Sequence, residues 1–199
     1  MRKVNVHKLS IIGPSGVGKS TVAEMIRDII HDVNSDTNAA IIFKLSKPLY
    51  GYQYKFYKML GANLKYDTQD GELLQFLGMK IHSINPDYLT NTFFNEIDNY
   101  IEDVNTDFRV SSRIKDVYII NDDCRPHNYE KLKCYGFKFI SISGPCRQRE
   151  DDVTGSDFQH PIEWSGDDRF KLADYVLYNN GDIDDLMLDV KLLVRRHIK

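Results

Sequence analysis

The 199-residue chain predicts a three-layer α/β fold: a central five-stranded parallel sheet with helices on both faces. Three observations carry that expectation. Five short apolar runs alternate with helical patterns, the order that builds a parallel sheet. The string Gly13-Pro14-Ser15-Gly16-Val17-Gly18-Lys19-Ser20 separates the first apolar run from the first helical one. A later run, Val117-Tyr118-Ile119-Ile120, ends in Asn121-Asp122-Asp123, which puts acid where parallel sheets gather their ligands. The length suits one domain over 1–199, with an inserted helical region at about 46–105 and a polar, irregular segment at about 146–168.

The elements follow in order. The apolar run ending Leu9-Ser10-Ile11-Ile12 is a buried strand, expected at 6–12. From about 18 to 33, Val22, Ile26, Ile29, Ile30 and Val33 recur at helical spacing. Ala39 to Leu45 reads as a second strand. Leu73, Leu74, Leu77, Ile81 and Ile84 suit one helix. Asn85-Pro86-Asp87 then reads as a helix start, with Asn85 as cap and Pro86 in the first turn. Leu89, Phe93, Ile97, Tyr100, Ile101 and Val104 share one face of the helix that follows. Strands are expected at 117–120, 137–142 and 175–178, with a short helix at 128–134 capped by Gly136. Ile183, Leu186, Val190, Leu193 and Val194 stripe a terminal helix whose basic end, Arg195-Arg196-His197, suits the negative pole of its dipole.

The glycine string fits the phosphate-loop pattern G-x-x-x-x-G-K-[ST] in its strand–loop–helix context. Gly13, Gly16 and Gly18 let the backbone turn tightly, so that the amides from Gly13 through Ser15, Gly16, Val17 and Gly18 to Thr21 can surround phosphate oxygens. The helix that begins there adds its unpaired N–H groups. Lys19 supplies a cation for the β- and γ-phosphates, and Ser20 a hydroxyl for the Mg²⁺ that bridges them. ATP and Mg²⁺ are therefore the expected cofactors.

A second cluster stands opposite. Asp122 or Asp123 can hold Mg²⁺ through water, although either can also form a turn or cap the next helix. Arg125 suits bidentate phosphate recognition, or an ion pair with those acids. Arg147 and Arg149 open the polar segment, where arginines can neutralise a transferring phosphoryl group or remain surface charges. His160 and Glu163 are weak as a metal pair and better suited to closing a loop. Asp123 is followed by Cys124 rather than by a water-activating Glu. Asn179-Asn180-Gly181-Asp182 lacks the Lys of a guanine-reading motif. Both absences favour transfer to a bound acceptor over hydrolysis.

Composition narrows the class. A net charge of −3 offers no overall attraction to nucleic acid, so none is expected as a stable partner. No apolar run reaches membrane-spanning length, and the amino end is too polar for a signal peptide. Cys124, Cys134 and Cys146 are odd in number and lack C-x-x-C spacing, which fits a reducing cytoplasm rather than a disulfide framework.

Several further strings make the chain resemble the nucleoside monophosphate kinases, and among them the phage-type deoxynucleoside monophosphate kinases. They are Lys47-Pro48-Leu49, Leu74-Gln75-Phe76-Leu77-Gly78, Pro86-Asp87, Asp123-Cys124-Arg125 with Asn128, His160 with Glu163, and Asn179-Asn180-Gly181. The resemblance covers most of the chain, more loosely over 46–115. It implies a P-loop kinase fold and ATP- and Mg²⁺-dependent phosphoryl transfer to a deoxynucleoside 5′-monophosphate. It puts Asp123 ahead of Asp122 for Mg²⁺ and sets Asn180 and Gly181 beside adenine. It assigns acceptor contacts to Lys47, Tyr50, Gln75, Arg125 and Asn128, with Tyr50, Tyr54 and Phe76 as candidates to stack on a base. Lys19, Asp123, Arg125, Arg147 and Arg149 would form the catalytic set, the last two in a lid. The family's arginine after the Leu74–Gly78 string is replaced here by Lys80, Ile81 and His82, leaving Arg109 and Arg113 as substitutes. A dephospho-coenzyme A kinase-like enzyme, a kinase of a modified base in DNA and a nucleotide-binding regulator are the alternatives. A homodimer is left open, and the host cytoplasm is the expected place if the source is viral.

Overall fold

The computed structural model describes residues 3–34, 36–62, 68–146, 164 and 168–198. Strands β1 (Asn5–Ile12), β2 (Asn38–Ile42), β3 (Asp116–Asn121), β4 (Lys138–Ser143) and β5 (Tyr175–Tyr178) form one parallel sheet in the order β2-β3-β1-β4-β5. The chain moves from β1 to the β2 edge, returns to β3, then crosses to the other side for β4 and β5. The direction reverses around β1, so a crevice opens beyond its carboxyl end, where the glycine loop begins.

Alternation along the strands makes two apolar layers. Leu9 and Ile11 of β1, Tyr118 and Ile120 of β3, and Ile140 and Ile142 of β4 pack with helices α1 (Lys19–Asn34) and α8 (Ile183–Leu193). Ile12, Val117, Ile119 and Phe139 face the opposite way. They pack with Phe93, Ile97 and Val104 of α4 (Tyr88–Thr106) and with Tyr129 and Leu132 of α6 (Tyr129–Cys134). No helix among the described residues is long and apolar enough to cross a membrane.

Several boundaries differ from expectation. Val33 is 40% exposed, so the buried stripe of α1 ends at Ile30. Strand β2 stops at Ile42 because the chain then turns toward the sheet's carboxyl end, where Phe43 O accepts from Asn121 Nδ2 at 3.0 Å. An additional helix, α2 (Lys47–Met59), starts at the Lys47-Pro48 turn and buries only Leu49 and Gln53. Helix α3 (Gly71–Ile84) is capped by Asp70, which accepts from Leu73 N at 3.0 Å. Gln53 of α2 receives the Asp70 N–H at 3.0 Å and donates to Thr68 O at 2.6 Å, tying the two helices together.

Asn85 does not cap α4. It closes α3, and its side chain accepts from Asp87 N at 3.2 Å, so that α4 starts two residues later than the proline predicts. Pro86 thus belongs to a turn between two helices. The one-turn helix α5 (Phe108–Ser111) leads into the amino end of β3. Residues Pro126–Asn128 form a 3₁₀ turn before α6, the five-residue α7 (Asp168–Leu172) precedes β5, and a π-helical turn, Val194–Ile198, follows α8.

Candidate active site

The carboxyl ends of β1, β2, β3 and β5 surround a cavity of about 610 Å³. That volume lies within the range of about 300–1,000 Å³ typical of small-molecule sites. One side of it is the glycine loop with the first turn of α1: Gly13, Ser15, Gly16, Gly18, Lys19, Ser20 and Thr21 all line it. Gly18 has a positive φ of 100°, and a Cβ there would lie 2.9 Å from Asn179 Nδ2, so no larger residue fits. Val17 points away into the core, while its carbonyl accepts from Asn179 Nδ2 at 3.0 Å. The β5–α8 turn is thereby fastened to the phosphate loop. Lys19 Nζ donates to the carbonyls of Gly13 (3.0 Å) and Pro14 (2.6 Å), which holds the cation across the mouth of the loop.

The acidic strand end separates two roles. Asp123 accepts from Leu45 N (2.9 Å), Ser46 N (2.8 Å), Ser46 Oγ (2.5 Å) and Asn121 Nδ2 (2.6 Å). Its carboxylate therefore shapes the turn from β2 into α2. Buried Ser10 donates to Asn121 Oδ1 at 3.1 Å and extends this network under the sheet ends. Asp122 is buried, and Lys44 Nζ lies 3.3 Å from its Oδ2. Its Oδ1 has no hydrogen-bond partner among the described residues. A buried acceptor left without a partner is costly, and a bound cation with its water would satisfy it. Asp122 and Ser20 both line the cavity and offer oxygens of the kind Mg²⁺ takes, while Lys44, itself a cation, pairs with the other carboxylate oxygen of Asp122. Both acids lie just beyond the end of β3, and Asp123 is the one that meets the amides of the β2–α2 turn.

Cys124, between Asp123 and Arg125, is buried, and burial pushes its thiol up to about 12. Its carbonyl accepts from Trp164 Nε1 at 2.7 Å, and Trp164 meets Tyr129 edge-on with ring centroids 6.0 Å apart. Arg125 and Asn128 follow on the cavity wall.

The structure brings together the glycine loop, Lys19, Ser20, Thr21, Asp123, Arg125, Asn128, Tyr50 and Gln75. Gln75 is buried, and Tyr50 Oη accepts from Gln69 Nε2 at 2.6 Å. Other expected residues lie outside this lining. Lys47 is drawn outward to Glu96, 3.0 Å away on α4, and Lys44 lines the cavity in its place. Tyr54 (39% exposed) and Phe76 (59% exposed) lie on outer faces of their helices and do not line it. Asn180 and Gly181 also fall outside the lining, which takes Asn179, Asp182 and Ile183 instead. A Cβ on Gly181 would come within 2.4 Å of Asp185 Oδ2, part of the box that caps α8, so this glycine serves the cap. Arg109 and Arg113 are exposed near the amino end of β3, at the opposite end of the sheet. Arg147, Arg149, His160 and Glu163 lie outside the described residues.

Sequence reasoning missed Lys44, Gln69, His82 and His127, all in the lining. Lys44 was findable, because it follows a strand at its carboxyl end. The histidines meet only through the tertiary fold.

No family model matches the chain, and no curated protein does. Among solved structures, it is similar to a shikimate kinase from Acinetobacter baumannii in complex with shikimate, at 14% identity and a TM-score of 0.44, covering 99% of this chain and 96% of that one. A gluconokinase from Sinorhizobium meliloti 1021 matches at 14% identity and a TM-score of 0.38, over 98% and 94%. A dephospho-CoA kinase from Campylobacter jejuni matches at 11% identity and 0.39, over 96% of each chain. The fold class rests on the strand order and the layers themselves, not on these likenesses.

Proposed function

We propose that this chain is an ATP- and Mg²⁺-dependent kinase that transfers the γ-phosphoryl group to a deoxynucleoside 5′-monophosphate. The observation that carries the reading is the continuity of the cavity. One space extends from the glycine loop to a second wall built by α2, α3 and the turn before α4. A phosphate-binding loop that opens into a larger chamber suits two substrates held end to end.

The second wall favours a nucleotide over a sugar. Leu49, Leu74, Gly78, Met79 and Leu89 give it an apolar surface, whereas Gln69 and Gln75 add amide groups able to read a base edge. Lys19 and the loop amides would hold the donor phosphates. Ser20 with Asp122 would hold Mg²⁺, which supplies charge neutralisation on the phosphate oxygens when bound. Asp123, the acid put forward by the sequence, supports the site by fixing the β2–α2 turn. Arg125 would contact the acceptor or transferring phosphate. Arg147 and Arg149 remain part of the proposal as further charge stabilisers.

A phosphotransfer screen tests this directly, with Mg²⁺–ATP, four deoxynucleoside monophosphates, dephospho-coenzyme A and an oligonucleotide. A diphosphate product from one or more monophosphates is expected. Transfer only to another acceptor, or slow ATP loss indifferent to all of them, overturns it. Lys19→Ala should abolish transfer, and Arg125→Ala should reduce turnover by about 10³-fold or more while circular dichroism stays native.

A further inference from the structure

We propose that His82 and His127, together with Arg125, form the clamp that holds the phosphate of the acceptor, an inference that rests on the acceptor reading above. His82 comes from the last turn of α3 and His127 from the 3₁₀ turn after β3. These elements are distant in sequence, yet the two rings face each other with centroids 5.3 Å apart at a 59° tilt. Both line the cavity on the same wall as Arg125. Rings this close leave no room for a phosphate between them, but both can aim N–H donors at one phosphate group beside them, each N–H···O bond spanning about 2.9 Å.

The charge pattern supports an anion here. Among the described residues, the acids in the lining are Asp122, Asp123 and Asp182. Asp122 is paired with Lys44, Asp123 is taken up by amides and a hydroxyl, and Asp182 caps α8. Each is therefore committed elsewhere. What an entering ligand meets at the His82–His127 end is a guanidinium, two imidazoles and the buried amide of Asn128. Imidazoles and a guanidinium donate to phosphate oxygens, and hydrogen bonds to a charged partner are the stronger kind. The apolar and amide surface beyond then receives the rest of a mononucleotide.

The test is steady-state kinetics with the monophosphate that wild-type protein accepts, on His82→Ala, His127→Ala and His82→Arg. Both alanine variants should raise the acceptor KM about ten- to a hundredfold, with KM for ATP unchanged. His82→Arg, which keeps an N–H donor at this position, should recover most of the loss. Histidine ring signals in NMR spectra should also move when that monophosphate or inorganic phosphate is added without ATP. The signals that move should disappear in the two alanine variants. Both side chains are exposed, so thermal midpoints should stay native. Transfer with an unchanged acceptor KM in both alanine variants overturns the clamp and leaves the kinase reading standing. No transfer by wild-type protein to any monophosphate overturns both.

Discussion

At the scale of residues, Asp122 and Asp123 leave one strand end in opposite circumstances. Asp123 satisfies two amides and a hydroxyl of the β2–α2 turn, whereas Asp122 keeps a buried oxygen without a partner among the described residues. Asp123→Ala should therefore lower stability by roughly 3 kcal/mol in a urea melt, since it strands several donors. Asp122→Asn should instead leave the melt nearly unchanged and sharply weaken the Mg²⁺ dependence of transfer. The reverse pattern would return the metal role to Asp123. The thiols give a second prediction. Cys134 and Cys146 are exposed, whereas Cys124 is buried with its thiol pushed from 9.0 to about 12. At pH 8 a thiol reagent should label two cysteines in native protein and the third only after unfolding. Because the native Cys124 thiol holds its proton more tightly than the unfolded one, its stabilising contribution is complete below about pH 9 and is lost as pH rises toward 12. A melt that gained stability over that interval would contradict this. Sequence could find the acid pair but not choose between its members, since the choice depends on which turn packs against the strand end.

At the scale of elements, legibility followed periodicity. Helices α1, α4 and α8 carry apolar stripes and were readable, as were the five strands, whose runs end near turns. Helix α2 was hidden because Tyr50, Tyr52, Tyr54 and Phe56 alternate like a strand, while its buried contacts, Leu49 and Gln53, are few. The start of α4 was misjudged because Asn85 and Pro86 resemble a cap and first turn, yet Asn85 closes the preceding helix and Pro86 lies in the turn between the two. The α2–α3 pair forms much of the cavity's second wall, where the acceptor is proposed to sit, and Gln53 is its polar fastening. Gln53→Ala should cost about 1–3 kcal/mol in the melt and raise acceptor KM without altering that for ATP. An equal rise in both would place the effect on the whole sheet end instead.

At the scale of the molecule, the layers and the phosphate-loop half of the site were legible, because local strings encode them. The proposed acceptor half was not, because it is assembled from α2, α3 and the turn after β3, whose contacts are long-range. Those contacts leave one undivided chamber. A dinucleoside polyphosphate, with adenosine at one end and the preferred deoxynucleoside at the other, would span it from wall to wall. Once one end docks, the other meets its place at high effective concentration, so such a tethered compound should inhibit about 10²–10⁴ times more tightly than either half alone. Merely additive inhibition would mean that the two halves cannot be filled by one rigidly connected guest.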